Sequence, residues 1–143
     1  MVLLTVHLVA VSALAGLSWV VQLVVYPSFL RVGPTPAWPG FHDAHSRGLA
    51  QAVVLPWAVQ GGTLAVLLVS RPAGVPVALV LVASALALAT VAVTVVWSVP
   101  LHQHLQPYDV RRAQRLIATH RLRTAAWSGG VACAVAMLLS ATG

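Results

Sequence analysis

Four long apolar runs, at residues 3–25, 48–69, 75–99 and 122–139, leave this chain few ways to fold. A helix that crosses a bilayer needs roughly 20 mainly apolar residues, and each run is of that order. Each also stops or starts at a breaker or a charge. Tyr26-Pro27 closes the first, Arg71-Pro72 follows the second, Pro100 ends the third, and Arg121 and Arg123 lead into the fourth. With 59% apolar and only 7% charged residues, too little polar surface is left for a soluble domain. Ala13-Leu14-Ala15 resembles a leader cleavage site, but no basic segment precedes it and apolar residues resume from Trp19 to Val25. The expectation is an all-α bundle of four transmembrane helices, forming one integral membrane domain over residues 1–143.

The charges then orient the bundle. All eight basic residues are arginines, and Asp43 and Asp109 are the only acids. Arg31, Arg47, Arg111, Arg112, Arg115, Arg121 and Arg123 fall in or beside the connections 26–47 and 100–121, and Arg71 alone lies in the short one. The positive-inside rule puts both long connections in the cytoplasm and both termini outside, in a bacterial-type plasma membrane. Arginines set between apolar runs argue for topology rather than nucleic acid. Arg111, Arg112 and Arg115 are placed at the lipid headgroups. Two helical segments are expected in the connections: residues 41–47, with Pro39 near the start, and a helix from Val110 capped by Asp109. Cys133 is the single cysteine, so there is no disulfide framework.

Six histidines are many for so apolar a chain. His42, His45, His102, His104 and His120 share the arginine-rich end, and His7 lies toward the other, where packing or capping is its simplest role. His42 and His45 share a face if helical, and His102 and His104 point the same way if the chain is extended. Polar rows lead from this end into the bundle: Thr90, Thr94, Ser98 and His102; His120, Thr124 and Ser128 beside Trp127; Ser18, Gln22 and Tyr26; and Gln51 and Gln60 around a kink expected at Pro56. Since polar groups avoid lipid, the rows suggest a pocket at that end, with Gln22, Gln51, Thr94, Ser98 and Trp127 as substrate-binding candidates. Hydroxyls in membrane helices also bond their own backbone, and the five tryptophans read most simply as interfacial belt residues. His42, His45, His102, His104 and His120 are the metal-ligand candidates, for copper or iron, with a haem open as well. A single imidazole beside Asp43 or Tyr26 would suffice for general base work.

Val99-Pro100-Leu101-His102-Gln103-His104-Leu105 is followed by His120-Arg121-Leu122-Arg123-Thr124-Ala125-Ala126-Trp127. This combination resembles the anthrone-oxygenase-like family of small four-helix membrane proteins, which carries Val-Pro-Leu-Asn after its third span and Asn-x-x-Arg-Thr entering its fourth. Tyr26-Pro27 and His42-x-x-His45 add to the resemblance, which covers most of the chain. His102 and His120 stand where that family has asparagine. The resemblance implies a membrane oxidoreductase acting on a small hydrophobic, aromatic or polyketide-like substrate. In that reading His42, His45, His102 and His120 bind a metal or move protons, and Arg123, with Gln22 and Tyr26, orients substrate or oxygen. The alternatives are a metal-free cyclase or isomerase using histidine acid–base catalysis, and a non-enzymatic protein that binds haem, metal or lipid. The expected partners are the bilayer and the substrate, with a homo-oligomer left open.

Overall fold

The structure, a computed structural model, describes residues 1–142. It has four long helices: α1 (Val2–Val32), α2 (Trp38–Val69), α3 (Val77–Gln103) and α4 (Val110–Ser140), each long and apolar enough to cross a membrane. Large apolar side chains such as Leu23, Val54, Leu55, Leu88 and Leu122 face outward on all four. Such a surface belongs against lipid, and the chain is an integral membrane protein. Helix α4 packs on α1 and α3, and α1 also packs on α2. The backbones of α2 and α3 approach one another along Val77–Val93 but not along Thr94–Gln103, where only side chains bridge them.

The helices are longer than the apolar runs. Helix α1 has 31 residues, about 46 Å at 1.5 Å per residue, against a hydrocarbon layer of about 30 Å. Most of the extension lies at one end, in residues 26–32, 38–47, 100–103 and 110–121. The true connections there are only Gly33–Ala37 and His104–Asp109. The bundle therefore has two cores. One lies between the apolar runs and includes Leu4, Leu14, Leu67, Val80 and Met137. The other fills a cap built from the helix extensions and includes Tyr26, Phe29, Trp38, Leu105, Ala113 and Leu116.

Proline does not end the first or third helix, contrary to expectation. In both, a π-helical turn comes just before it, at Val21–Val25 ahead of Pro27 and at Thr94–Ser98 ahead of Pro100. Proline lacks an N–H, and its ring crowds the carbonyl four residues back. Widening the preceding turn relieves the crowding: the Tyr26 N–H reaches Val21 O, and the Val99 N–H reaches Thr94 O. The chain stays helical and carries Tyr26, Phe29 and His102 into the cap. Helix α2 likewise runs on through Pro56.

Two of the expected belt tryptophans are core residues. Trp38 is buried and donates through Nε1 to Leu105 O at 3.0 Å, tying the start of α2 to the far connection. Trp127 is buried in the bundle, while Trp19 and Trp97 are exposed as a belt requires. His7 packs inside, its Nδ1 2.8 Å from Thr63 Oγ1.

Asp109 caps α4 as expected, its carboxylate accepting from the Arg112 N–H at 2.9 Å. That bond, helped by the charges of Arg111 and Arg112, holds its carboxyl below the usual aspartate range. A group with a lowered native pKa stabilises the fold fully above its unfolded value, about 3.9. The contribution fades as pH falls through the lowered native value. Asp109→Ala is therefore expected to lower the melting temperature in detergent at pH 7. The gap to wild type should close as the melts are repeated toward pH 3, and a gap independent of pH would refute the assignment.

Candidate active site

A cavity of about 350 Å³ lies where the cap meets the membrane core. Leu14, Leu17 and Val21 of α1, Leu49, Ala50, Val53 and Trp57 of α2, and Val99 of α3 give it apolar walls. His45, Ser46, Thr94, Ser98, His102, His120 and Arg123 supply its polar groups, with Trp127 beside them. On the α2–α3 side, His42 and His45 meet His102 across the gap where the two backbones part beyond Thr94.

The sequence places these groups through simple periodicity. His120, Arg123 and Trp127 are spaced i, i+3 and i+7 and so share one face of α4. His42 and His45 do share a face of α2, and both meet His102. His42 Nε2 lies 3.1 Å from His102 Nδ1, and the His45 ring stacks on the His102 ring with centroids 5.9 Å apart. Tyr26 is fully buried behind them, its ring edge-on to His120 at 4.8 Å between centroids.

The outer hydrogen bonds set which ring nitrogen carries each proton. The Gln106 amide donates to Asp43 Oδ1 at 3.0 Å and to His42 Nδ1 at 3.2 Å. His42 must then hold its proton on Nε2 and donate it to His102 Nδ1, which leaves His102 protonated on Nε2. His120 is the reverse. With Gln22 Oε1 facing its ring at 3.0 Å, Nδ1 is the donor and Nε2 keeps the free lone pair. One cavity is thus lined by an imidazole that can accept a proton and by one that can donate a hydrogen bond. The buried Tyr26 hydroxyl, Ser46 Oγ, His45 Nε2 and Arg123 Nε have no partner within the protein.

Other candidates fall outside the cavity. His104 is exposed at the end of α3, where its Nδ1 lies 2.7 Å from Pro100 O. The chain is helical through Gln103, so His102 and His104 do not point the same way as an extended segment would make them. Gln51 is exposed on the opposite face of α2 from Leu49, Ala50 and Val53. Gln22 and Tyr26 support His120 from behind and do not line the wall. Most hydroxyls of the polar rows bond their own backbone, as Thr90 does to Ala87 O and Ser98 to Val93 O. Thr94 does so too, and also accepts from Arg123.

Among the described residues no three histidine, cysteine or acidic side chains converge as a metal would require. His42 Nε2 and His102 Nδ1 are spent on a hydrogen bond to each other, and His120 Nδ1 is bonded to Gln22. This donor set does not fit copper or iron as arranged. Gln106 joins the histidine cluster unforeseen in the sequence, because nothing in the spacing links it to His42, 64 residues earlier. Trp57, read as a belt residue, is part of the cavity wall. No family model, curated protein or solved structure matches the chain.

Proposed function

We propose that this protein is a membrane enzyme that removes a proton from the carbon next to a carbonyl, or joined to it through an aryl ring, on a small hydrophobic substrate, by histidine acid–base chemistry. The observation that carries this is the set of hydrogen-bond partners that assigns opposite tautomers to His102 and His120 on one cavity. His120 Nε2 takes the proton, the C–H electron pair moves into the neighbouring C–C bond, and the carbonyl π pair goes to oxygen. The His102 Nε2–H donates a hydrogen bond to the oxygen that becomes negative. The apolar walls suit a substrate that dissolves in the bilayer. Oxidation of the resulting enolate is the outcome implied by the resemblance of residues 99–105 and 120–127, so an oxygenase-like oxidoreductase is the reading we favour. An isomerase or cyclase would begin with the same step. The arginine distribution supports a cytoplasmic position for the cap.

Anthrone is a suitable probe, since carbonyl and aryl groups activate its methylene. Purified protein in nanodiscs, in deuterated buffer under argon, is expected to speed deuterium uptake at that methylene above the empty-nanodisc rate. Oxygen uptake when air is admitted identifies oxidation as the fate of the enolate. Uptake no faster than the blank counts against the proposal. One copper or iron per chain, lost in His102→Ala, would replace proton transfer with metal chemistry.

A further inference from the structure

We infer that the ligand of this cavity carries a negative charge at neutral pH, a carboxylate on a small lipophilic body, and that Arg123 receives it. The inference rests on the cavity being the substrate site and adds the substrate's chemical class.

Arg123 lies in the cavity wall and is only 8% exposed. A long basic side chain near a helix end usually extends along the apolar surface until its head reaches water. This one folds inward instead. Its Nη1 donates to Thr94 Oγ1 at 3.1 Å, its guanidinium carbon lies 5.7 Å from the centre of the Trp127 ring, and its buried Nε has no acceptor. A hydroxyl and an aromatic face solvate a cation but do not neutralise it, and an uncompensated buried charge is strongly unfavourable.

The chain holds no carboxylate for the purpose. Its only acids are Asp43 and Asp109, and the first accepts from Gln106 while the second caps α4. Among the described residues no acidic group pairs with Arg123. The missing negative charge is therefore best supplied by what enters the cavity. The planar guanidinium fork lines the cavity and spends only Nη1 on Thr94, so its remaining terminal donors match the oxygens of a carboxylate. One cation calls for a singly charged head. A volume of about 350 Å³ sits at the small end of ligand sites and excludes a diacyl lipid, while a short acyl chain or a body of two or three rings fits.

The test compares ω-bromoundecanoic acid with ω-bromoundecanol, matched chains that differ in the head. Each is titrated into phosphatidylcholine nanodiscs containing the full chain at neutral pH, at equal membrane concentration. Bromine quenches tryptophan, and Trp57 and Trp127 line the cavity. The acid is expected to reach half-quenching at a membrane concentration about tenfold or more below that of the alcohol. Arg123→Gln should abolish the preference and leave alcohol binding in place, and Arg123→Lys should keep part of it. His120→Gln should keep it in full, which separates binding of the head from proton transfer. Equal binding of acid and alcohol, or a preference that survives Arg123→Gln, overturns the inference and leaves the cavity reading intact. Quenching by neither overturns both. Where Arg123→Gln fails to fold, the acid–alcohol comparison in the unchanged protein still decides.

Discussion

His120→Gln is expected to slow enzyme-dependent deuterium uptake by roughly 10²–10⁴-fold, the usual loss when a positioned general base is removed. Glutamine is close in size to histidine and can still bond Gln22, so the bundle keeps its packing. It offers no nitrogen basic enough to take a proton from carbon. His102→Gln should cost less, because its amide can still donate toward the cavity. The loss there reflects a weaker and misplaced hydrogen bond to the developing negative oxygen. Gln22→Leu is the finer probe. It leaves His120 in place but removes the closer of the two oxygens at Nδ1, with Thr124 Oγ1 remaining at 3.3 Å, so the rate should fall while the bundle still folds. His104 is exposed and turned away, and His104→Ala should leave the rate unchanged. If His104→Ala and His120→Gln cost the same, the histidines share a membrane face and not a site.

The membrane architecture was plain in the apolar runs because a spanning helix must satisfy its backbone internally and show lipid an apolar surface. Where the helices stop was not plain. Proline at 27 and 100 reads as a terminator, and only the π-turns at Val21–Val25 and Thr94–Ser98 let α1 and α3 continue past it. The cap was therefore partly hidden, although Asp109 and the helical reading of residues 41–47 pointed to two of its walls. The same slip misplaced His104. A chain assumed extended after Pro100 puts His102 and His104 on one side, whereas the real helix sends one to His42 and the other outward. Local periodicity placed His42 with His45, and His120 with Arg123, because each pair depends on one helix. The partnerships that set the tautomers, Gln106 with His42 and Gln22 with His120, join residues 64 and 98 positions apart. No local pattern encodes them.

Phe29→Ala should be the most destabilising single change in the cap, at about 3–5 kcal/mol. Phe29 is fully buried, and its ring meets Tyr26, Trp38, Phe41 and three of the site histidines. The closest of these lie 5.0 Å away between centroids, Trp38 and His45, both edge to face. Its position matters as much as its contacts. Between helices in lipid, separation exposes apolar surface to equally apolar chains, so only packing and dispersion are lost. Phe29 lies past the first apolar run, in the polar-flanked cap, where losing its ring leaves a cavity among aromatic neighbours and the full packing cost applies. Leu67→Ala, which empties a site in the membrane core, should accordingly cost less than its volume suggests. Hydrogen exchange read by mass spectrometry can separate the two. Phe29→Ala should raise exchange in residues 26–32 and 38–47 while the spans stay protected, and acid–base activity should fall with it because His42, His45 and His102 lose the wall that sets their rings. Unchanged exchange in those segments would mean that the cap does not depend on Phe29, and that the histidines are held by their own hydrogen bonds alone.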